Sequence, residues 1–194
     1  MRRLRIEVAY DGTAYHGWQV QPGLPTIQGT LEQVVSELEG RPVGVDGSGR
    51  TDAGVHALAQ VAAFSLSNPI PAANLKKALN RQLPRDIRIN RVEEVSAAFH
   101  PRFDARAKTY EYRIFRGEVC PPFERNYVLH HPYPLDEQAM ARLAPSLEGE
   151  HDFTAFASTD ENDEAGRSKV RTIFQSQLTG AKGRLIYRVR GSGF

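Results

Sequence analysis

Residues 43–66, VGVDGSGRTDAGVHALAQVAAFSL, hold two apolar segments, Val43 to Val45 and Ala57 to Leu66, on either side of the Gly-rich run DGSGRTDAGV. Short apolar runs bounded by turn residues predict two strands joined by an exposed loop. Upstream, Ile27, Leu31, Val34, Val35 and Leu38 recur at helical spacing, with Thr26 as a candidate N-cap and Gly40 and Pro42 as stop signals. Before that helix, Leu4, Ile6, Val8 and Tyr10 alternate with Arg3, Arg5 and Glu7 until Asp11-Gly12 turns the chain, which is the pattern of a strand with one buried face. Downstream, Leu75, Ala78, Leu79 and Leu83 form a second helical stripe ended by Pro84, and Ile87, Ile89 and Val92 form a further strand. The first half therefore reads β-α-β-β-α-β, the ferredoxin-like unit, in which two helices cover one face of a four-stranded antiparallel sheet.

After the linker AAFHPRFDARAK the order begins again. Tyr110, Tyr112 and Ile114 alternate as a strand, and Leu135, Ala139, Met140, Leu143 and Leu147 mark a helix with Asp136 in its first turn and Pro145 near its end. Val170 to Leu178 and Leu185 to Val189 are two more strands, joined by a turn over Gly180-Ala181-Lys182-Gly183. The expected fold class is α+β. Two ferredoxin-like halves, residues 1–103 and 104–194, would share one continuous, mostly antiparallel sheet with a cleft between them. The second copy reads β-α-β-β, so the expectation is that the natural protein continues into a further helix and strand covering Leu178, Leu185, Tyr187 and Val189; a short native C-terminus is the alternative.

Composition narrows the function classes. At 194 residues and 40% apolar the chain can bury a core, and a net charge of +2 rules out a polybasic protein while leaving room for a local basic face. One cysteine, Cys120, excludes an internal disulfide framework and a Cys-rich zinc site. No apolar run is long enough to span a bilayer and the N-terminus has no signal-peptide core, so the expected compartment is the cytoplasm. Between Lys76 and Arg91 the cations Lys76, Lys77, Arg81, Arg85, Arg88 and Arg91 face Asp86 alone, whereas Glu148 to Glu164 is acidic and contains TDENDEAG, a candidate surface loop. Such an uneven distribution suits a polyanionic ligand on one side, and equally an ordinary solvated helix face.

Three stretches carry chemistry. In SGRTDAGVHA, residues 48–57, Gly49, Ala53 and Gly54 keep bulk away from Asp52 and would present its carboxylate at the mouth of a cleft. Arg50, two residues earlier, is placed to keep that carboxylate ionised, and an ionised carboxylate acts as nucleophile or base. An Asp in a Gly-rich loop also simply caps turns. In KTYEYR, residues 108–113, aromatics and bases interleave on a strand, with Tyr110 and Tyr112 on one face; this geometry stacks nucleobases while cations meet phosphates, and it also serves ordinary cores. His100, Arg102 and Arg106 add cationic reach. In YHGWQVQ, residues 15–21, aromatics and amides share a loop suited to base edges, with Trp18 also a candidate loop anchor.

These residues resemble a known family. AYDGTAYHGWQVQ, SGRTDAGVHA, FHPRFDARAKTYEY, and GEHDFTAF followed by VRTI, in that order over essentially the whole chain, closely resemble the tRNA pseudouridine synthase A family. The resemblance implies isomerisation of uridine at positions 38, 39 and 40 of the tRNA anticodon arm, no metal or organic cofactor, a homodimer, and basic clefts that hold tRNA. It implies Asp52 as the catalytic aspartate, Arg50 as its partner and Tyr110 as the tyrosine that packs on the target uracil. Tyr15, Gln19, His56, Arg102 and Lys108 complete the expected substrate-binding set. The alternative is a truncated or non-catalytic RNA-binding module with a ferredoxin-like sheet; a module that only binds leaves the Gly-framed Arg50 and Asp52 without a role.

Overall fold

Strand β1 (Arg2–Tyr10) alternates half-buried and buried residues along its length, and Leu4, Ile6 and Val8 are fully buried. In a computed structural model of the chain, which describes residues 1–156 and 168–192, this strand lies at the centre of the first of two sheets. Helix α1 (Ile27–Glu39) begins where the Thr26 side chain accepts from Gly29 N and ends at Gly40, which takes the left-handed conformation a helix end favours. Strands β2 (Asp46–Gly47) and β3 (Ala57–Leu66), helix α2 (Ala72–Gln82) and strand β4 (Ile87–Val95) follow. The four strands pair antiparallel in the order β2-β3-β1-β4. One sheet face and the two helices enclose a single apolar cluster running from Leu4 to Ile89, with Phe64, Leu31, Leu75 and Leu79 among its fully buried members.

The second sheet contains strands β5 (Lys108–Phe115), β6 (Leu129–His130), β7 (Gly149–Asp152), β8 (Val170–Ala181) and β9 (Arg184–Gly191), in the order β6-β5-β9-β8-β7. Helix α3 (Glu137–Leu143) and a 3-10 turn (Ala144–Leu147) precede β7. Strands β8 and β9 form a hairpin whose two loop residues, Lys182 and Gly183, both take positive φ, the twist that a two-residue hairpin demands. The chain divides into two compact units, Met1–Ala105 and Arg106–Phe194. No helix among the described residues is long and apolar enough to cross a membrane.

Three expectations are corrected. The described strands pair into two sheets, four- and five-stranded, where one continuous sheet was expected; alternation fixes which face of a strand is buried but not which strand it pairs with. The strand expected at Val43 to Val45 is instead β2 at Asp46–Gly47. Both valines are buried, yet Val43 N donates to the Ser36 hydroxyl (2.9 Å) and Val45 N to the Glu32 carboxylate (3.0 Å), so side chains of α1 hold this backbone in place of a ladder. The helix expected from Leu135 to Leu147 ends as α-helix at Leu143, because Pro145 supplies no N–H and the last turn tightens to 3-10. Asp136 is its N-cap, accepting from Ala139 N at 2.8 Å. The acidic loop expected at 159–166 lies outside the described residues.

Candidate active site

The Gly-rich loop between β2 and β3 is pinned at both ends and at its middle. At its start Ser48 N donates to Val61 O (2.8 Å), and the Gln60 amide donates to Gly49 O (2.6 Å) while its oxygen accepts from the Ser48 hydroxyl (3.1 Å). Thr51 is held twice: its carbonyl accepts from Trp18 N (2.9 Å) and its hydroxyl shares a hydrogen bond of 2.8 Å with Tyr10 Oη. Val55 N closes a turn onto Asp52 O (3.2 Å), and Gly54 N donates to Tyr15 O (3.3 Å). Asp52 itself is exposed at the tip of this fixed loop.

Close approaches at glycines make that docking possible, among them Gly17, where a Cβ would lie 2.5 Å from Thr51 O. A Cβ on Gly12 would lie 2.0 Å from Val55 O, and one on Gly47 would lie 2.5 Å from the Trp18 indole nitrogen. Backbone meets backbone at the first and a ring lies flat against backbone at the second, so neither position accommodates a side chain. Trp18 is 3% exposed and packs 6.1 Å from the Tyr10 ring, which identifies it as the anchor of its loop.

The expected substrate residues of the first unit divide by burial. Tyr15 is buried, and its hydroxyl donates to Asp86 Oδ1 at 2.9 Å; burial, then the Asp86 hydrogen bond and charge, push its pKa far above the ordinary tyrosine value. His56 is half-buried at the base of the loop, where Nδ1 accepts from Gly12 N (3.1 Å) and lies 3.1 Å from Asp11 Oδ1. Gln19, Arg50 and Arg102 are exposed. No hydrogen bond or ion pair joins Arg50 to Asp52 among the described residues. Both side chains stand open to solvent.

In the second unit Tyr110 and Tyr112 share one face of β5, opposite Val189 and Tyr187, and are 37% and 54% exposed. Lys108 is half-buried at the start of the strand. On the opposite face Glu111 accepts from Arg188 and from Arg113 (2.9 Å), and those hydrogen bonds hold its carboxyl below the usual carboxylate range. Among the described residues no three His, Cys, Asp or Glu side chains come together as a metal site.

Sequence reasoning singled out the loop and its aspartate but not the groups that fix them, Tyr10, Gln60 and the close approach at Gly12. Tyr10 reads as the last apolar residue of β1, and its hydroxyl was the only available signal: a buried tyrosine needs a polar partner.

The model of the tRNA pseudouridine synthase family matches residues 6–104 and 143–194. The chain is 69% identical over 194 residues to tRNA pseudouridine synthase A of Solibacter usitatus (strain Ellin6076), covering all of this chain and 81% of that protein. It is 43% identical over 197 residues to the protein of the same name from Lacticaseibacillus casei (strain BL23), covering all of this chain and 78% of that one. A Geobacillus protein (strain WCH70), also named tRNA pseudouridine synthase A, matches at 43% over 196 residues, with 77% of its length covered. With the family model spanning well over half its residues, and its pinned loop carrying an exposed aspartate, this chain belongs to the tRNA pseudouridine synthase family.

Proposed function

We propose that the chain isomerises uridine to pseudouridine in tRNA, at positions 38, 39 and 40 of the anticodon stem and loop, with Asp52 as the catalytic carboxylate. One observation carries the assignment to Asp52: an exposed carboxylate at the tip of a loop whose neighbours Thr51, Gly54 and Val55 are all hydrogen-bonded in place. A loop that served only as a turn would not need its backbone held from three directions. A nucleophile or base must be held within tenths of an ångström of its target.

The reaction breaks the C1′–N1 bond, turns the uracil and forms C1′–C5, the C5 proton leaving and N1 gaining one. Asp52 either attacks C1′ or removes the C2′ proton, and both routes need the ionised carboxylate. Arg50, exposed two residues before Asp52, is its proposed partner. Tyr110 packs on the flipped uracil, and stacking contributes roughly 1 to 3 kcal/mol per base toward the cost of unstacking. Gln19, Arg102 and Lys108 contact the RNA. Tyr15 and His56 act from beneath, holding the loop through Gly54 and Gly12. The reading extends to ferredoxin-like halves, supported in the first by the order β4-β1-β3-β2 with a helix in each crossover, and to a cytoplasmic homodimer working without cofactor.

The test is uridine conversion in an anticodon stem-loop, with tRNA binding titrated at fixed salt. Asp52→Ala is expected to lower turnover by at least about a thousandfold with little change in affinity, because phosphate contacts dominate binding. Tyr110→Phe keeps the ring and most of the binding, whereas Tyr110→Ala loses both affinity and turnover. Appreciable turnover by Asp52→Ala removes this residue from the mechanism.

A further inference from the structure

The cations of β1, α2 and β4 fall into two classes. On β1 and β4 they are engaged within the fold: Arg2 pairs with Glu94 (2.9 Å), Arg3 with Asp46 (2.5 Å), Arg5 with Glu93 and Glu7, and Arg91 with Glu93 (2.7 Å), while Arg88 donates to the carbonyls of Pro84 (2.7 Å) and Ile87 (2.6 Å). On and just after α2, Lys77, Arg81 and Arg85 are exposed, and among the described residues none of the three has a carboxylate partner. Lys77 and Arg81 are one helical turn apart, about 6 Å along the axis, and with Asn74, Ala78 and Gln82 they line a shallow groove of about 570 Å³. Leu75 and Leu79, on the other side of the helix, are buried in the core, so the stripe faces outward.

This stripe leads toward the Asp52 loop. Past the end of α2, Asp86 O accepts from Asp11 N (2.9 Å), and the Asp86 carboxylate accepts from Tyr15 Oη (2.9 Å). Tyr15 O in turn accepts from Gly54 N, two residues from Asp52. Arg85 is therefore one residue from the contact that ties this corner to the catalytic loop.

The geometry points to Lys77, Arg81 and Arg85 as a phosphate rail for the RNA strand that enters the Asp52 loop, with Asn74 and Gln82 as neutral donors beside it. It rests on the reading of the chain as an RNA-modifying enzyme. Unneutralised cations at helical spacing match a polyanion whose phosphates repeat along a strand, and amide side chains are regular phosphate donors. The sheet, where the arginines of β1 and β4 are already engaged by carboxylates or, at Arg88, by backbone carbonyls, offers such a ligand little.

The experiment measures the salt dependence of tRNA binding by the full chain and by the triple variant Lys77→Gln, Arg81→Gln, Arg85→Gln, with thermal unfolding as a check on folding. Each lost phosphate contact should reduce the slope of log K against log salt by roughly 0.7 to 0.9, so the triple variant should lose about 2 to 3 from the wild-type slope. Arg41→Gln removes a cation already paired with Glu39 at the far end of α1, and should leave the slope as it is. A triple variant that unfolds like wild type and keeps the wild-type slope overturns the rail. So does a wild-type chain that binds polyglutamate but not tRNA, which would assign the stripe to an acidic protein. Loss of slope in the variant while the wild-type chain converts no uridine keeps the rail and overturns the enzymatic reading instead.

Discussion

The two units begin from similar sequence patterns and end with different interiors. In the first, β1 and helices α1 and α2 enclose a cluster from Leu4 to Ile89, and Leu4, Ile6, Leu31, Phe64 and Leu79 are fully buried. In the second, the buried apolar residues among those described are Ile114, Ala144, Ile173 and Leu185, while Tyr112, Phe123, Tyr133, Leu143 and Phe174 are largely exposed. The difference follows from helix length. An α1 of 13 residues and an α2 of 11 cover the first sheet, whereas α3 has 7 residues and none of them is buried. Fully burying a large apolar side chain stabilises by about 1.5 to 3 kcal/mol, so the first unit holds most of the stability that side-chain burial provides. The comparison shows a closed core under the Asp52 loop and an open aromatic face on the second sheet.

The largest expected effect on stability tests that division directly. Phe64→Ala should destabilise by about 3 to 5 kcal/mol, and Tyr112→Ala, on the exposed face of β5, by about 1 kcal/mol or less, both read from chemical denaturation. Equal losses would mean that the second sheet carries a share of stability its exposure denies. A smaller effect sharpens the link between core and loop. Gly12→Ala forces a methyl into Val55 O and should cost about 1 to 3 kcal/mol while lowering turnover by about a hundredfold. Gly44→Ala, whose added methyl meets open space, should change neither.

The smallest effect concerns pH. The folded-state pKa of Tyr15 is raised above its ordinary value of 10.0, so its contribution is fully present below pH 10 and is lost as pH rises beyond it. Denaturation midpoints measured from pH 9 to 11 should fall more steeply for wild type than for Tyr15→Phe. Parallel curves would mean that the Asp86 hydrogen bond does not hold the Tyr15 proton.

Much of the first unit was legible because its signals are local. Thr26 and Gly40 bound α1 as their residue types predict, and the alternation of Leu4, Ile6, Val8 and Tyr10 marks the buried face of β1. Elements failed to read correctly where a distant side chain took over the backbone, as Glu32 and Ser36 do at Val45 and Val43. At the site, Asp52 stood out because small residues frame it. The partners that hold its loop were illegible because Tyr10 and Thr51 are 41 residues apart, and no periodicity encodes a hydrogen bond across that distance. The basic run from Lys76 to Arg91 was visible as composition, but only the structure divides it into Arg91, paired with Glu93, Lys76 and Arg88, which donate to backbone carbonyls, and Lys77, Arg81 and Arg85 without carboxylate partners among the described residues.

Arg116 marks the neck of the excursion that leaves β5 and returns as β6. Its guanidinium donates to the carbonyls of His131 and Tyr133 and pairs with Glu137 (2.9 Å), while His131 N donates to Phe115 O (2.9 Å) and the His130 ring lies 2.9 Å from Gly117 O. The excursion has a second anchor in Glu124, which pairs with Arg184 on β9 (2.6 Å), and between two such anchors added length is cheap, since doubling a loop's length adds only about 0.6 kcal/mol of closure entropy. Glu118 and Val119, exposed between the neck and that anchor, therefore mark a place where chain can be inserted with little thermodynamic penalty. The family model passes over 105–142, the region that includes this loop. Grafted epitopes or affinity tags belong there.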